Sequence, residues 1–91
     1  MHLDFEPGQT ARLTLLDTGT IASAQLMSIT GRRMSVLAEI ELRGGTVRLD
    51  WPDYIVVADV AGSLPDGTVL LTVRHALRTA DIELIRRSWF E

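Results

Sequence analysis

The segment Leu26-Met27-Ser28-Ile29-Thr30-Gly31-Arg32-Arg33-Met34 gathers two hydroxyls, a glycine and two adjacent arginines in one short stretch. Ser and Thr hydroxyls, with backbone N–H groups freed by a glycine turn, can hold a phosphate or a guanine edge. Arg32 and Arg33 would add forked donors and flat stacking planes. An ordinary hairpin turn with solvated arginines has the same composition, so residue type alone leaves both readings open. Arg12, Arg48 and Arg74 each stand among threonines on the polar side of a strand pattern. If those strands are neighbours, a Thr/Arg stripe crosses the outside of the fold, which reads first as a solvated face.

Catalytic chemistry finds no constellation. The two histidines are His2, near the chain start, and His75, which falls in step with Val69, Leu71 and Val73 and is expected to end a core stripe. There is no His-x-x-x-His, no acidic loop of calcium-binding spacing and no Gly-x-Ser-x-Gly elbow. A phosphate loop closed by lysine is impossible in a chain without lysine. Asp50 and Asp53 bracket a hairpin and read as solvated turn residues, not as a catalytic pair. The expectation is a protein that is not an enzyme and has neither cofactor nor metal.

Composition narrows the class. With 91 residues and 46% apolar side chains, the chain is expected to form a single domain over 1–91 with one modest core. It has no cysteine, which excludes disulfides and thiol chemistry. No apolar run reaches the length of a spanning helix and no signal-peptide pattern opens the sequence, so the expected location is cytoplasmic. All nine basic residues are arginine. A GC-rich coding bias accounts for this first, and phosphate or guanine recognition second. A net charge of −3 argues against a broad nucleic-acid-binding face.

The elements that must position these groups are strands. Gln9 to Asp17 alternates Thr10, Arg12 and Thr14 with Ala11, Leu13 and Leu15, the period of a strand with one wet face. Further strands are predicted over Thr20 to Ile29, Met34 to Ala38, Thr46 to Trp51, Tyr54 to Ala61 and Thr68 to Ala76. Turns are expected at Asp17-Thr18-Gly19, Gly31, Arg43-Gly44-Gly45, Trp51-Pro52-Asp53-Tyr54 and Leu64-Pro65-Asp66-Gly67. The run Ile55-Val56-Val57 predicts partial burial on both faces. The period then changes. Thr79 can cap a helix of about 79–90, with Asp81 and Glu83 early, Arg86 and Arg87 late, and Ile82, Ile85 and Trp89 on one stripe. Phe90 lies off that stripe, where packing against the barrel rim or seeding a partner contact are both open. Six strands on tight turns with no intervening helices predict an antiparallel sheet, closed into a small barrel to hide its edges.

The order of these pieces resembles the PilZ domain, a small six-stranded barrel known as a receptor for the bacterial second messenger cyclic di-GMP. The resemblance rests on Thr20-Ile21-Ala22-Ser23-Ala24-Gln25-Leu26-Met27-Ser28-Ile29-Thr30-Gly31, on Gly45-Thr46-Val47-Arg48-Leu49-Asp50-Trp51, on Ile55-Val56-Val57-Ala58-Asp59-Val60 and on Thr68 to Leu77. It covers about residues 8–80. It implies a mainly β, six-stranded antiparallel PilZ-like barrel (about 8–77) followed by the C-terminal helix, a role in bacterial signalling, and cyclic di-GMP as ligand. The family's motifs are altered here. Its Arg-x-x-x-Arg before the first strand has no counterpart, since residues 1–11 contain no arginine and Arg12 stands alone. Its second motif is Asp or Asn, any residue, Ser, any two residues, then Gly. In one register Ser28, Thr30 and Arg33 take the fixed positions; in the other Ser28 and Gly31 match while Leu26 replaces the acid. Each lost charge-assisted contact costs on the order of 1.5–3 kcal/mol, so two losses weaken binding about a hundredfold or more.

The resulting expectation is a non-catalytic binding or adaptor module in cyclic di-GMP-related signalling. It would act by contact with a protein partner, with nucleotide binding weak or absent and a homodimer left open. The first alternative is a genuine cyclic di-GMP receptor using Arg12, Ser28, Thr30, Gly31, Arg32 and Arg33. The second is a single-stranded nucleic-acid binder with Phe5, Trp51 and Tyr54 as stacking platforms, against which the net charge weighs.

Overall fold

Thr46–Trp51 shows the building rule most plainly. Val47, Leu49 and Trp51 are buried, while Thr46, Arg48 and Asp50 between them are half-exposed, as a pleat of period two requires. The computed structural model describes residues 3–82 and 84. Within them six strands follow one another: β1 (Gln9–Leu15), β2 (Ile21–Thr30), β3 (Arg33–Ala38), β4 (Thr46–Trp51), β5 (Tyr54–Ser63) and β6 (Thr68–Arg78). They close into an antiparallel barrel in the order β1-β2-β3-β6-β5-β4, with β4 returning to β1. Residues 79–82 and 84 are helical. The rest of the helix expected over 79–90, with Trp89 and Phe90, lies outside the described residues, as does His2.

The core is the inner face of every strand. Leu13, Leu26, Val36, Val47, Leu49 and Val56 have no exposed surface, and Ala11, Ala24, Met34, Ala58, Val69, Leu71 and Val73 have almost none. Two loop leucines complete it. Leu3 precedes β1 and covers the end of the barrel at which β4 finishes; Leu42, between β3 and β4, covers the other. Ile55 and Val57 are half-buried on the outer face of β5 around buried Val56, as the apolar run predicts.

Three single-residue bulges interrupt the ladders, one at Ala61 on β5 and two that reset the inward phase of β2 and β6. On β2 the pairing steps from Leu26↔Val36 to Ser28↔Ser35, leaving Met27 without an opposite residue. On β6 it steps from Ala58↔Val73 to Val57↔His75, leaving Arg74 extra. Each of these two moves the next inward residue by three positions instead of two, to Ile29 and Ala76, which pack against the core. His75 is therefore exposed. The core stripe expected to end on His75 instead stops at Val73 and resumes at Ala76.

These assignments separate two kinds of leucine. Leu26→Ala is expected to cost about 2–5 kcal/mol, a large part of a typical domain's roughly 5–15 kcal/mol. Leu77→Ala, at a side chain 53% exposed, should stay within about 0.5 kcal/mol of the parent. Urea unfolding of the two variants checks both, and equal losses would refute the inward phase assigned here.

Candidate functional site

Between β2 and β3 the chain turns on two residues, Gly31 and Arg32, with Thr30 paired to Arg33 across the turn. Gly31 has φ +60° and, among the described residues, only glycines have positive φ, the signature of a type II′ hairpin turn with glycine first. The tip is pinned from outside: the Val73 N–H donates to the Arg32 carbonyl at 2.7 Å. Thr30, Gly31, Arg32 and Arg33 are all exposed. Neither Arg32 nor Arg33 makes an ion pair among the described residues. Ser28 sits further back on the outer face, its hydroxyl hydrogen-bonded to that of Ser35.

Arg12 is elsewhere. It lies opposite Ser23 on β2 and Asp50 on β4. From Ser23 to Ser28 and Thr30 is about 17–23 Å along the strand, at roughly 3.3 Å per residue. The structure thus brings Thr30, Gly31, Arg32 and Arg33 together, holds Ser28 two residues back in the same ladder, and leaves Arg12 apart. Its guanidinium Nη2 donates to Asp50 Oδ2 at 2.7 Å, while Arg48 Nε donates to Oδ1 at 2.7 Å. One carboxylate therefore serves two arginines from neighbouring strands. Partial burial by itself raises the Asp50 carboxyl, but the hydrogen bonds from Arg48 and Arg12 and their charges outweigh it, leaving Asp50 below the usual aspartate value.

The arginine stripe is real but not free. Strands β1, β4, β5 and β6 are neighbours in that order, and carboxylates interleave their arginines. Asp59 on β5 meets Arg74 at 3.6 Å and accepts from the Thr46 hydroxyl at 2.9 Å. Asp50, read from sequence as a solvated turn residue, belongs instead to β4 and has only 16% of its side chain exposed. Its alternation with Arg48 was visible in the sequence. The partner on β1 was not, because nothing local announces that the first strand pairs with the fourth.

The three aromatic candidates are packing groups. Trp51 and Tyr54 are buried, with ring centroids 5.4 Å apart, and Phe5 meets Trp51 edge to face at 6.2 Å. The Trp51 Nε1–H points to the Asp4 carbonyl at 3.4 Å. Stacking platforms need open ring faces, and these rings spend theirs on the core and on one another. A shallow groove of about 490 Å³ opens beside them, between Asp4, the 52–54 turn and Arg78–Ala80. The Thr79 hydroxyl, expected to cap the helix, donates to the Pro52 carbonyl at 3.0 Å and ties the helix start to that turn.

Among the described residues no group of three or more His, Asp or Glu side chains is placed to hold a metal, and no helix is long and apolar enough to cross a membrane. No protein-family model matches the chain, and no curated protein or solved structure matches it either.

The Asp50 pair gives a signed pH effect. Its folded-state pKa lies below the unfolded value of about 3.9, so its contribution is complete above about pH 4 and is lost as pH falls through the lowered value. Asp50→Asn is expected to cost about 1 kcal/mol at neutral pH, limited by the solvent around both arginines, and progressively less at a strongly acid pH, as the Asp50 carboxyl protonates. Urea unfolding at the two pH values checks this, and an equal cost at both would refute it.

Proposed function

We propose that this barrel is a non-catalytic, PilZ-like binding module that acts by contact with a partner protein and takes cyclic di-GMP weakly or not at all. One observation carries the reading. The segment leading into β1, where the family's arginine pair would stand, runs beside β2 with the Gly8 N–H donating to the Leu26 carbonyl at 2.6 Å. It carries Asp4 and Glu6 there in place of guanidiniums. Leu3 and Phe5 of the same segment are packed into or against the core, so the backbone is committed to closing the barrel end. Asp4 of that segment lies beside Trp51, whose indole N–H points to its carbonyl, and the first arginine after the segment, Arg12, is engaged by Asp50. What stays open for recognition is the exposed hairpin tip with Arg32 and Arg33, a protruding cationic element suited to a protein surface.

Calorimetric titration of cyclic di-GMP into the whole chain tests the reading. No saturation is expected below about 100 μM, a free energy weaker than roughly −5.5 kcal/mol. Micromolar or tighter binding that Arg32→Ala and Arg33→Ala abolish would overturn it in favour of a nucleotide receptor.

A further inference from the structure

The two hairpins that flank the β3–β6 ladder differ in reach. β3 follows β6 only to Arg33↔Thr72, and the last contact is the Val73 N–H to the Arg32 carbonyl. β6 continues to Arg78, paired on its other side with β5 as far as Tyr54↔Arg78. Residues 74–78 are therefore a sheet edge directly beyond the Gly31 turn. The phase of its free groups follows from the register. The Thr79 N–H donates to the Asp53 carbonyl at 3.0 Å, which makes Tyr54↔Arg78 a non-hydrogen-bonded pair and turns the Arg78 N–H away from β5. Ala76, two residues back, presents its N–H and carbonyl to the same open side. None of these three groups has a partner among the described residues.

We infer that this edge receives an extended acidic peptide segment of a partner protein, which adds a strand to β6 as a continuation of β3. The inference rests on the binding-module reading and names the class of its partner. Backbone pairing to an exposed edge gives such complexes their affinity, and alternate side chains give them specificity. Arginines stand at both ends of the open edge, Arg78 in the groove that Asp4 and Asp53 also line. Arg32 and Arg33 stand at the hairpin tip abutting one end, both without an ion-pair partner among the described residues, and Arg78 stands at the other. Between them Leu77 is 53% exposed and lies beside half-buried Ile55, an apolar step for the middle of the peptide. The adjacent Arg32 and Arg33, without an ion-pair partner among the described residues on a chain of net charge −3, select by sign.

The edge sequence also weighs against a second copy of this chain as occupant. Antiparallel self-pairing centred on Ala76 would set Arg74 opposite Arg78 at both ends of the short ladder, and like charges directly opposite destabilise it. Arginines on an open edge are a recognised guard against edge-to-edge association.

The test is fluorescence polarisation of a labelled synthetic peptide, Asp-Val-Glu-Val-Asp-Val, titrated with the whole chain. Saturable binding is expected, at least tenfold weaker for a peptide with lysine at the acidic positions and for the Arg32→Glu/Arg33→Glu variant. N-methylation of alternate peptide residues reads the backbone pairing without altering the protein. One methylation frame should abolish binding and the other should leave it within about twofold, because a strand turns only alternate N–H groups toward its neighbour. No binding of the acidic peptide, or equal loss from both frames, would overturn the proposal. So would a concentration-dependent dimer of the chain that the peptide does not dissociate. Failure here with nucleotide binding still absent would leave the module reading standing, whereas tight cyclic di-GMP binding would remove that reading itself.

Discussion

The seam between β1 and β4 turns an open six-stranded sheet into a cylinder. Without it both strands would be edges, and Leu13, Val47 and Leu49, now free of solvent, would line an open face. The seam is four residue pairs long, from Arg12↔Asp50 to Leu15↔Val47, and joins strands separated by two hairpins and a loop. Its closing contact costs chain entropy that local hairpins do not, and it is met by burial on the inside and a charge bridge on the outside. Asp50 draws Arg48 along its own strand and Arg12 across the seam, so one carboxylate bridges the seam and engages both guanidiniums.

The outer surface divides its arginines accordingly. Those over the β1–β4–β5–β6 face alternate with Asp50 and Asp59 and form a ladder of nearly neutral pairs, which keeps a flat sheet face soluble without making it sticky. Those beyond the ladder, at the Gly31 tip and at the end of β6, have no carboxylate set against them in an ion pair among the described residues. Residue type is the same in both sets. The difference lies in which strands the topology makes adjacent.

That difference explains what the sequence could and could not disclose. All six strands are legible because each pairs an apolar inner set with a polar outer set over a short span, and the turns between them carry Gly, Pro or Asp where φ or capping demands it. Gly31 as the pivot of a two-residue turn is legible for the same reason. His75 is the instructive failure. A strict two-residue period carries the stripe Val69, Leu71, Val73 onto it, but the next inward side chain is Ala76. The same three-residue step from Leu26 to Ile29 occurs at the β2 bulge. The signal was present in both strands as a missed beat in the apolar pattern. Asp50 could not be placed at a seam, nor Arg12 apart from the turn, because strand order is a non-local property and only the register fixes who faces whom.

A resemblance in the order of strands therefore carries less about a site than about a fold. The guanine clamp of the family implied by that order needs arginines on the segment before the first strand. In this chain that segment is already occupied on both sides. Leu3 and Phe5 fill the barrel end, the Trp51 indole N–H points to the Asp4 carbonyl, and Gly8 anchors to Leu26. Substituting arginine at Asp4 or Glu6 would add charge without freeing the backbone to swing over a nucleotide. By contrast, the β6 edge proposed for a partner has backbone groups beyond the Gly31 tip that no strand of the barrel pairs among the described residues. The backbone pairing proposed there would come at low conformational cost, because β5 already holds the receiving strand from Val69 to Arg78.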